Sequence, residues 1–397
     1  MGCGLRRLSR GGLRVNVTDP RVFLVADNCF AIKRWVQPRE WLAVAADLGL
    51  RYVQASTDNE FDALYSDPAY MRDWVAEVHQ ASKETGVQVT SVYTGYQTYR
   101  TSGLGHPDSR VRDRIVDGWV KPTIDHCAEL GAELGFHLFA YPEKVLEDRH
   151  EYLSVTDRII DDLAAIAQYA AGHGVRVSVE QMYSPHQPPW TIAQAEYFVA
   201  EVYRRADVPC YVTIDTGHQV GQRAYLRPTE EQVRSLVADG AGSDLWLGPP
   251  SANQALADGD ADAAVAAMNG NPQYFSDGID DADLYAWVRA VGRYSPLMHL
   301  QQTDGSGSHH APFTTATNST GIVHPAPLLR ALAESFSIKP LDGMPPNVDT
   351  VSLSFEIFSG TAENRHQILS KMRESIEYWR QAIPVDGMRL SELVDHG

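Results

Sequence analysis

One pattern repeats eight times along this chain. Short apolar runs at 22–26, 52–56, 87–93, 134–140, 175–182, 210–215, 297–302 and 348–358 are separated by longer stretches. Seven of those, 38–48, 68–84, 111–130, 155–173, 191–205, 325–335 and 363–382, carry apolar residues at helical spacing. Strand–helix alternation implies parallel strands joined by crossover helices, because a tight turn cannot close a parallel pair. Eight such units predict an α/β fold closed into a (β/α)8 barrel, the TIM-barrel class. An open doubly wound sheet is the competing architecture. It would show a glycine-rich turn after the first strand, and Ala26-Asp27-Asn28-Cys29-Phe30 is not one. Gly86, Gly131 and Gly174 stand just past helix ends, where a left-handed residue closes the last turn, and Thr191 stands at a helix start.

The sixth joint breaks the rhythm. Residues 219–294 separate strands six and seven and hold helical segments at 228–239, 253–268 and 280–291. A loop that follows a barrel strand lies on the C-terminal face, where barrel enzymes carry their sites. This helical insertion is therefore expected on the catalytic face, as a lid, a subunit contact or an inert insertion. The chain reads as one domain, 15–397, behind a frayed basic segment, 1–14, which no apolar run of signal-peptide length follows.

Charge and cysteine usage narrow the function. The chain has 397 residues, with 34 Lys+Arg against 51 Asp+Glu and a formal net charge of −17. An acidic chain repels phosphate backbones, so no nucleic-acid partner is expected, although a local pocket can still take a small anion. No apolar run reaches the span of about 18 residues that a membrane helix needs. Cys3, Cys29, Cys127 and Cys210 form no CxxC pair, which fits a reduced, cytoplasmic protein. Neither a P-loop nor a GxGxxG motif occurs, so no nucleotide cofactor is implied.

The late strands carry the chemistry. Side chains alternate between the barrel interior and the surrounding helices. In strand five the valines hold one parity, and Arg176, Ser178 and Glu180 the other. Strand six sets Val212 and Ile214 against Tyr211, Thr213 and Asp215, and strand eight sets Val351, Leu353 and Phe355 against a polar series ending in Glu356. In strand seven His299 and Gln301 share the inward parity. Three carboxylates converging on one mouth cannot all ionise without a compensating cation. Oxygen-rich ligands with few histidines favour Mn²⁺, Mg²⁺ or Co²⁺ over structural zinc.

Glu180 after strand five, Asp215-Thr-Gly-His218 after strand six, His299-Leu-Gln301 on strand seven and Glu356 on strand eight resemble the xylose-isomerase-like TIM-barrel superfamily, with the sugar phosphate isomerases and ketose 3-epimerases as the best match. The resemblance spans about residues 23–382. It implies that Glu180, Asp215 and Glu356 ligate one divalent metal, Mn²⁺ first, with Co²⁺ or Mg²⁺ as alternatives. In ketose epimerases the fourth ligand is the second histidine of an H-x-H. Gln301 holds that position here, with His299 expected a layer below. His218 would contact substrate oxygens. His186 and Gly307 stand where those epimerases carry a glutamate and an arginine. The substrate implied is a small sugar or sugar phosphate, and the assembly a homodimer or homotetramer.

A metal that bridges a carbonyl and its neighbouring hydroxyl stabilises an enediolate, and Glu180 and Glu356 are the candidate proton carriers. One base on one face gives isomerisation; two on opposite faces give epimerisation. A decarboxylase or C–C lyase shares the chemistry and is the alternative, with a non-catalytic sugar-binding barrel as the reading from another class. The phosphodiesterase branch would need further histidines and a basic face. His137, His309 and His310 are candidate substrate contacts, set against a core histidine and solvated loop histidines. Lys33, Arg34 and Arg100 are the cations near early strand ends, available to a phosphate or serving as surface charge.

Overall fold

The computed structural model describes residues 19–395 apart from 58, 60, 95–102, 139, 140, 240–244, 277 and 340. The expectations for segment 1–14, Cys3 and Arg100 lie outside the described residues. Eight parallel strands run β1 (Arg21–Asp27), β2 (Tyr52–Ser56), β3 (Gln88–Tyr93), β4 (Glu133–Phe136), β5 (Val177–Glu180), β6 (Tyr211–Asp215), β7 (Leu297–Leu300) and β8 (Thr350–Phe355). Each pairs with the next, and β8 pairs with β1, so the sheet closes as expected. A short β9 (Met388–Arg389) adds antiparallel to the start of β1, tying the end of the chain under the barrel.

Eight helices form the outer ring: α1 (Pro38–Asp47), α2 (Pro68–Thr85), α3 (Lys121–Leu130), α4 (Arg149–Gly172), α5 (Ile192–Ala206), α6 (Leu284–Val291), α7 (Pro325–Ser337) and α8 (Arg365–Arg380). Their ends follow local chemistry. Asp67, Asp148 and Thr191 accept backbone N–H bonds at the starts of α2, α4 and α5. Gly86 and Gly131 close α2 and α3 at φ 73° and 68°. The outward strand residues bury against the ring; Phe136 meets Trp119, and Phe355 meets Trp379. The inward residues are polar and layered. Arg176 bonds Glu133, Asp349 and Thr350 at the N-terminal end, and Ser178 bonds Thr213 at 2.8 Å one layer up.

Two elements differ from the sequence reading. The stretch 111–130 is not one α-helix: α-helix Ser109–Ile115 passes through a π turn, Val116–Val120, into α3. Pro122 has no N–H to give the carbonyl four residues back, which loosens the ladder at this point. The expected helix 253–268 is split into Pro250–Ala257 and Ala261–Gly270. Gly259 turns the chain at φ 78°, and Asp260 caps the second piece by accepting from Ala263 N at 2.9 Å. With Gln219–Gln222 and Glu230–Asp239, these helices stand between β6 and α6, after which α6 packs between α5 and α7 in the ring. Asp281 pins the stretch to α5 by accepting from Ile192 N at 2.7 Å. Among the described residues no helix is long and apolar enough to cross a membrane.

Gly135, on the inward parity of β4, makes room for a neighbour rather than for a turn. A Cβ there would stand 1.9 Å from Tyr93 Cε2. Gly135→Ala is therefore expected to destabilise the barrel by about 1–3 kcal/mol. Gly172→Ala, at a helical position with open space around it, should stabilise by about 0.5–1 kcal/mol. Thermal melts of the two variants check the contrast; equal shifts would show that Tyr93 yields freely.

Candidate metal and active site

Inward parity and parallel register deliver four side chains able to hold a metal ion to one mouth. Glu180 ends β5, Asp215 ends β6 and pairs in register with His299 of β7, and Glu356 directly follows β8. One ligand atom from each of the four lies within 4.8 Å of all the others. His299 Nδ1 is 2.9 Å from Glu180 Oε1 and 3.3 Å from Glu356 Oε2. Glu180, Asp215 and His299 are all at most 1 % exposed.

The donor set fits a hard divalent cation. Asp215 Oδ1 accepts from Gly217 N at 2.7 Å, His218 N at 3.1 Å and Gln301 Nε2 at 2.8 Å. Its Oδ2 is buried and has no hydrogen-bond partner among the described residues. A buried carboxylate oxygen left bare is costly, and a cation among three carboxylates and an imidazole would satisfy it.

The structure corrects the expected order on β7. His299 is not a layer below the acids; its Nδ1 touches two of them. Gln301 is turned to another task. Its amide nitrogen donates to Asp215, and its Oε1 accepts from His310 N at 2.6 Å and Ser308 Oγ at 3.2 Å. Gly217 permits this, since a Cβ there would lie 2.5 Å from Gln301 Cδ. The physical reason is length. The imidazole reaches inward from the deeper position, whereas the amide at the rim is held by the backbone of its own loop.

The remaining histidines divide. His137 Nδ1 is 3.0 Å from Glu180 Oε2. His218 gives Nδ1 to the Gln181 carbonyl at 2.8 Å, which leaves Nε2 3.9 Å from Asp215 Oδ1. His310 adopts φ 46°, an uncommon conformation for a non-glycine residue, stacks on Phe358 at 4.2 Å and sets Nδ1 3.4 Å from Glu356 Oε2. His186 and His309 are not brought to the acids. His186 bonds the Tyr141 carbonyl at 2.9 Å and pairs with Glu143, and the half-exposed His309 meets Ser306 and Asp304. Arg34 spends its guanidinium on the carbonyls of Gly360, Thr361 and Glu363, so it braces the loop after β8.

Two members of the mouth are absent from the sequence reading. Asp27 ends β1 and pairs in register with Gln54 of β2. Gln54 Nε2 donates to Asp27 Oδ2, and the amide faces His299 Nε2. The signal was available as inward parity on the first two strands, with Val25 and Asp27 in line and Gln54 and Ser56 in line.

Comparisons with known proteins agree with this architecture. A family model described as xylose isomerase-like TIM barrel matches residues 42–335. D-erythrulose 1-phosphate 3-epimerase of Brucella abortus is 28% identical over 353 residues, 88% of this chain and 92% of that protein. A candidate xylose isomerase of Rhodospirillum rubrum superposes with a TM-score of 0.66 at 18% identity, over 91% of this chain and 99% of that one. D-psicose 3-epimerase of Clostridium cellulolyticum H10 gives 0.55 at 12% identity, over 90% and 98%.

Electrostatics inside the mouth are strongly coupled. Burial drives Asp27 up to about 7, with Glu356 adding to the rise. Burial also opposes charge on His299, yet Glu356 and Glu180 outweigh it and lift the ring to about 10. His310 rises to about 9 against its own burial, through Glu356. Glu356 falls to about 2 despite burial, held there by His299 and His310. Burial raises Asp215, partly countered by His218. Without metal, two imidazolium rings therefore stand in for the cation.

A raised histidine stabilises the fold fully below its ordinary value of 6.5, and that contribution is lost as pH climbs through 9 to 10. Asp27, an acid raised from 3.8 to about 7, loses its contribution as pH rises between those values, so it adds only at the foot of this window. The Tm of EDTA-treated protein is expected to fall as pH rises from 6.5 to 10, and less steeply in His310→Gln. Parallel melts of the two proteins across that window check this. Identical slopes would show that His310 is neutral in the metal-free site.

Proposed function

The chain belongs to the xylose isomerase-like TIM-barrel family, and we propose that it is a divalent-metal-dependent isomerase or epimerase of a small sugar or sugar phosphate. The observation that carries the reading is the mouth itself: Glu180 and Glu356 flank His299, beside an Asp215 oxygen with no other partner among the described residues. The name of the Brucella relative, a 1-phosphate 3-epimerase, supports phosphorylated ketoses as the first substrates to try.

Glu180, Asp215, His299 and Glu356 would hold the cation, with Mn²⁺ favoured by the donor set and Co²⁺ or Mg²⁺ as alternatives. Bound there, a divalent ion supplies Lewis acidity that stabilises negative charge developing on a carbonyl and its neighbouring hydroxyl. Proton transfer falls to the chain's own carboxylates. Glu180 and Glu356 come from strands three apart around the barrel, so they approach a substrate from different sides. One removes the carbon-bound proton and the other returns it, which inverts the centre; a single working base gives isomerisation instead. His218, with Nδ1 tied to a carbonyl, offers Nε2 to a substrate hydroxyl, and His310 steadies Glu356. Gln301 orients Asp215 through its amide.

Chelation is expected to abolish turnover, and one divalent ion per chain to restore it. The substrate screen is incorporation of solvent deuterium into ketoses, aldoses and their phosphates with Mn²⁺, Co²⁺ and Mg²⁺. Turnover that survives EDTA in protein free of bound divalent ions would overturn the metal dependence.

Glu180→Gln and Glu356→Gln separate ligation from proton transfer. An amide oxygen still coordinates but does not accept the proton, so a carrier variant should lose about 10²–10⁴-fold in turnover at saturating metal. In an epimerase both variants lose inversion, and one retains C–H exchange. In a one-base isomerase only one variant shows the loss. Near wild-type turnover in both would remove the two glutamates from proton transfer.

A further inference from the structure

The buried pair Asp27 and Gln54 has no part in the mechanism above, although both side chains lie within the mouth. They are 2 % and 0 % exposed and stand on β1 and β2, with β1 paired to the β8 strand that leads into Glu356. A buried carboxylate is expensive to keep without a task. Asp27 Oδ1 accepts from Cys29 N at 2.7 Å, and its Oδ2 accepts from the Gln54 amide. Gln54 Oε1 also accepts from Ser91 Oγ at 3.4 Å. The same amide abuts His299 Nε2, with Oε1 at 3.3 Å and Nε2 at 3.0 Å. Gln54 is the hydrogen-bonding partner of His299 Nε2 among the described residues.

We infer that Asp27 and Gln54 are positioning residues that set which nitrogen of His299 carries its proton, so that Nδ1 is presented as a lone pair to the cation. The inference rests on the metal-dependent reading above. An imidazole that gives Nδ1 to a metal keeps its hydrogen on Nε2. That hydrogen needs an acceptor, and Gln54 Oε1 is the acceptor within reach. Both ends of the amide lie near Nε2, and the oxygen becomes the acceptor when the NH₂ hydrogens are committed to Asp27. An ionised Asp27 supplies the anchor, since turning the amide over would set oxygen against carboxylate. Asp27 therefore acts on the metal through two residues, Gln54 and His299, and touches neither metal nor substrate.

The test is Co²⁺ binding to the full chain at pH 8, read by chelator competition and by the visible absorption of the bound ion. In Gln54→Met the dissociation constant should rise about 10–100-fold, the usual effect of losing a partner of a ligating histidine, and the absorption band should change. Asp27→Asn, which alters one atom, should weaken binding by a smaller factor and shift the band in the same sense. The double variant should bind no worse than Gln54→Met alone, because Asp27 works through Gln54. A merely structural role would lower Tm without coupling the two effects or moving the band. Wild-type affinity and spectrum in folded Gln54→Met overturn the inference, and should that variant not fold, the same result in Asp27→Asn does so. A wild-type chain that binds no Co²⁺ overturns the metal-dependent reading itself, which the variants then do not address.

Discussion

Mutual repulsion of carboxylates in a water-poor barrel mouth is the constraint on which the site depends. Glu180, Asp215 and Glu356 each bring one oxygen within 4.8 Å of the others. At such separations like charges cannot coexist bare, and the protein answers with rings: His299 touches two of the acids, while His137 and His310 each take one. Their shifted proton affinities are one fact seen from several atoms. His299 and His310 are raised because the carboxylates are there, and Glu180 and Glu356 are lowered because the histidines are.

The barrel makes this arrangement affordable. On strands five, six and eight, alternation sends valine, leucine and isoleucine outward to the helices and a polar series inward, so most of the apolar burial there stays separate from the polar interior. The lower interior is held by its own polar pairs. Arg176 neutralises Glu133 and Asp349 at the N-terminal end, and Ser178 and Thr213 satisfy each other above them. Among the described residues of the interior, the acids with an oxygen lacking a hydrogen-bond partner, Glu180, Asp215 and Glu356, stand in the top layer, which faces the loops.

Much of this was legible in the sequence because the period of a strand is two. Once the apolar parity of strands five, six and eight is fixed by their valines and leucines, the side chains of Glu180, Asp215 and Glu356 have one direction available. Reach was not legible. His299 and Gln301 share a parity, and nothing in their spacing says that an imidazole two residues deeper still meets the acids while the nearer amide is held by Ser308 and the backbone of His310. Loop direction was equally hidden: His186 and His309 stand beside the right strands in sequence, yet their loops carry them to Tyr141 and to Ser306. Asp27 and Gln54 were overlooked for a different reason. A lone acid after strand one and a lone amide in strand two carry no motif, and only closure of the barrel brings them against strand seven.

Closure also explains why a mouth with candidate ligands on β5, β6, β7 and β8 depends on strands that supply none. In an open sheet β1 and β2 would be distant from β7. In the closed barrel the pairing of β8 with β1 sets β1 two strands and β2 three strands from β7, and Gln54 reaches His299 directly. The ring of His299 is held on one edge by carboxylates from β5 and β8 and on the other by an amide from β2 that is itself anchored on β1. A substitution on any of these four strands can therefore move the same ring. The chemistry of the site is a property of the whole interior layer rather than of the residues nearest the substrate, and differences in metal preference within a barrel family can arise from positions that never touch the metal.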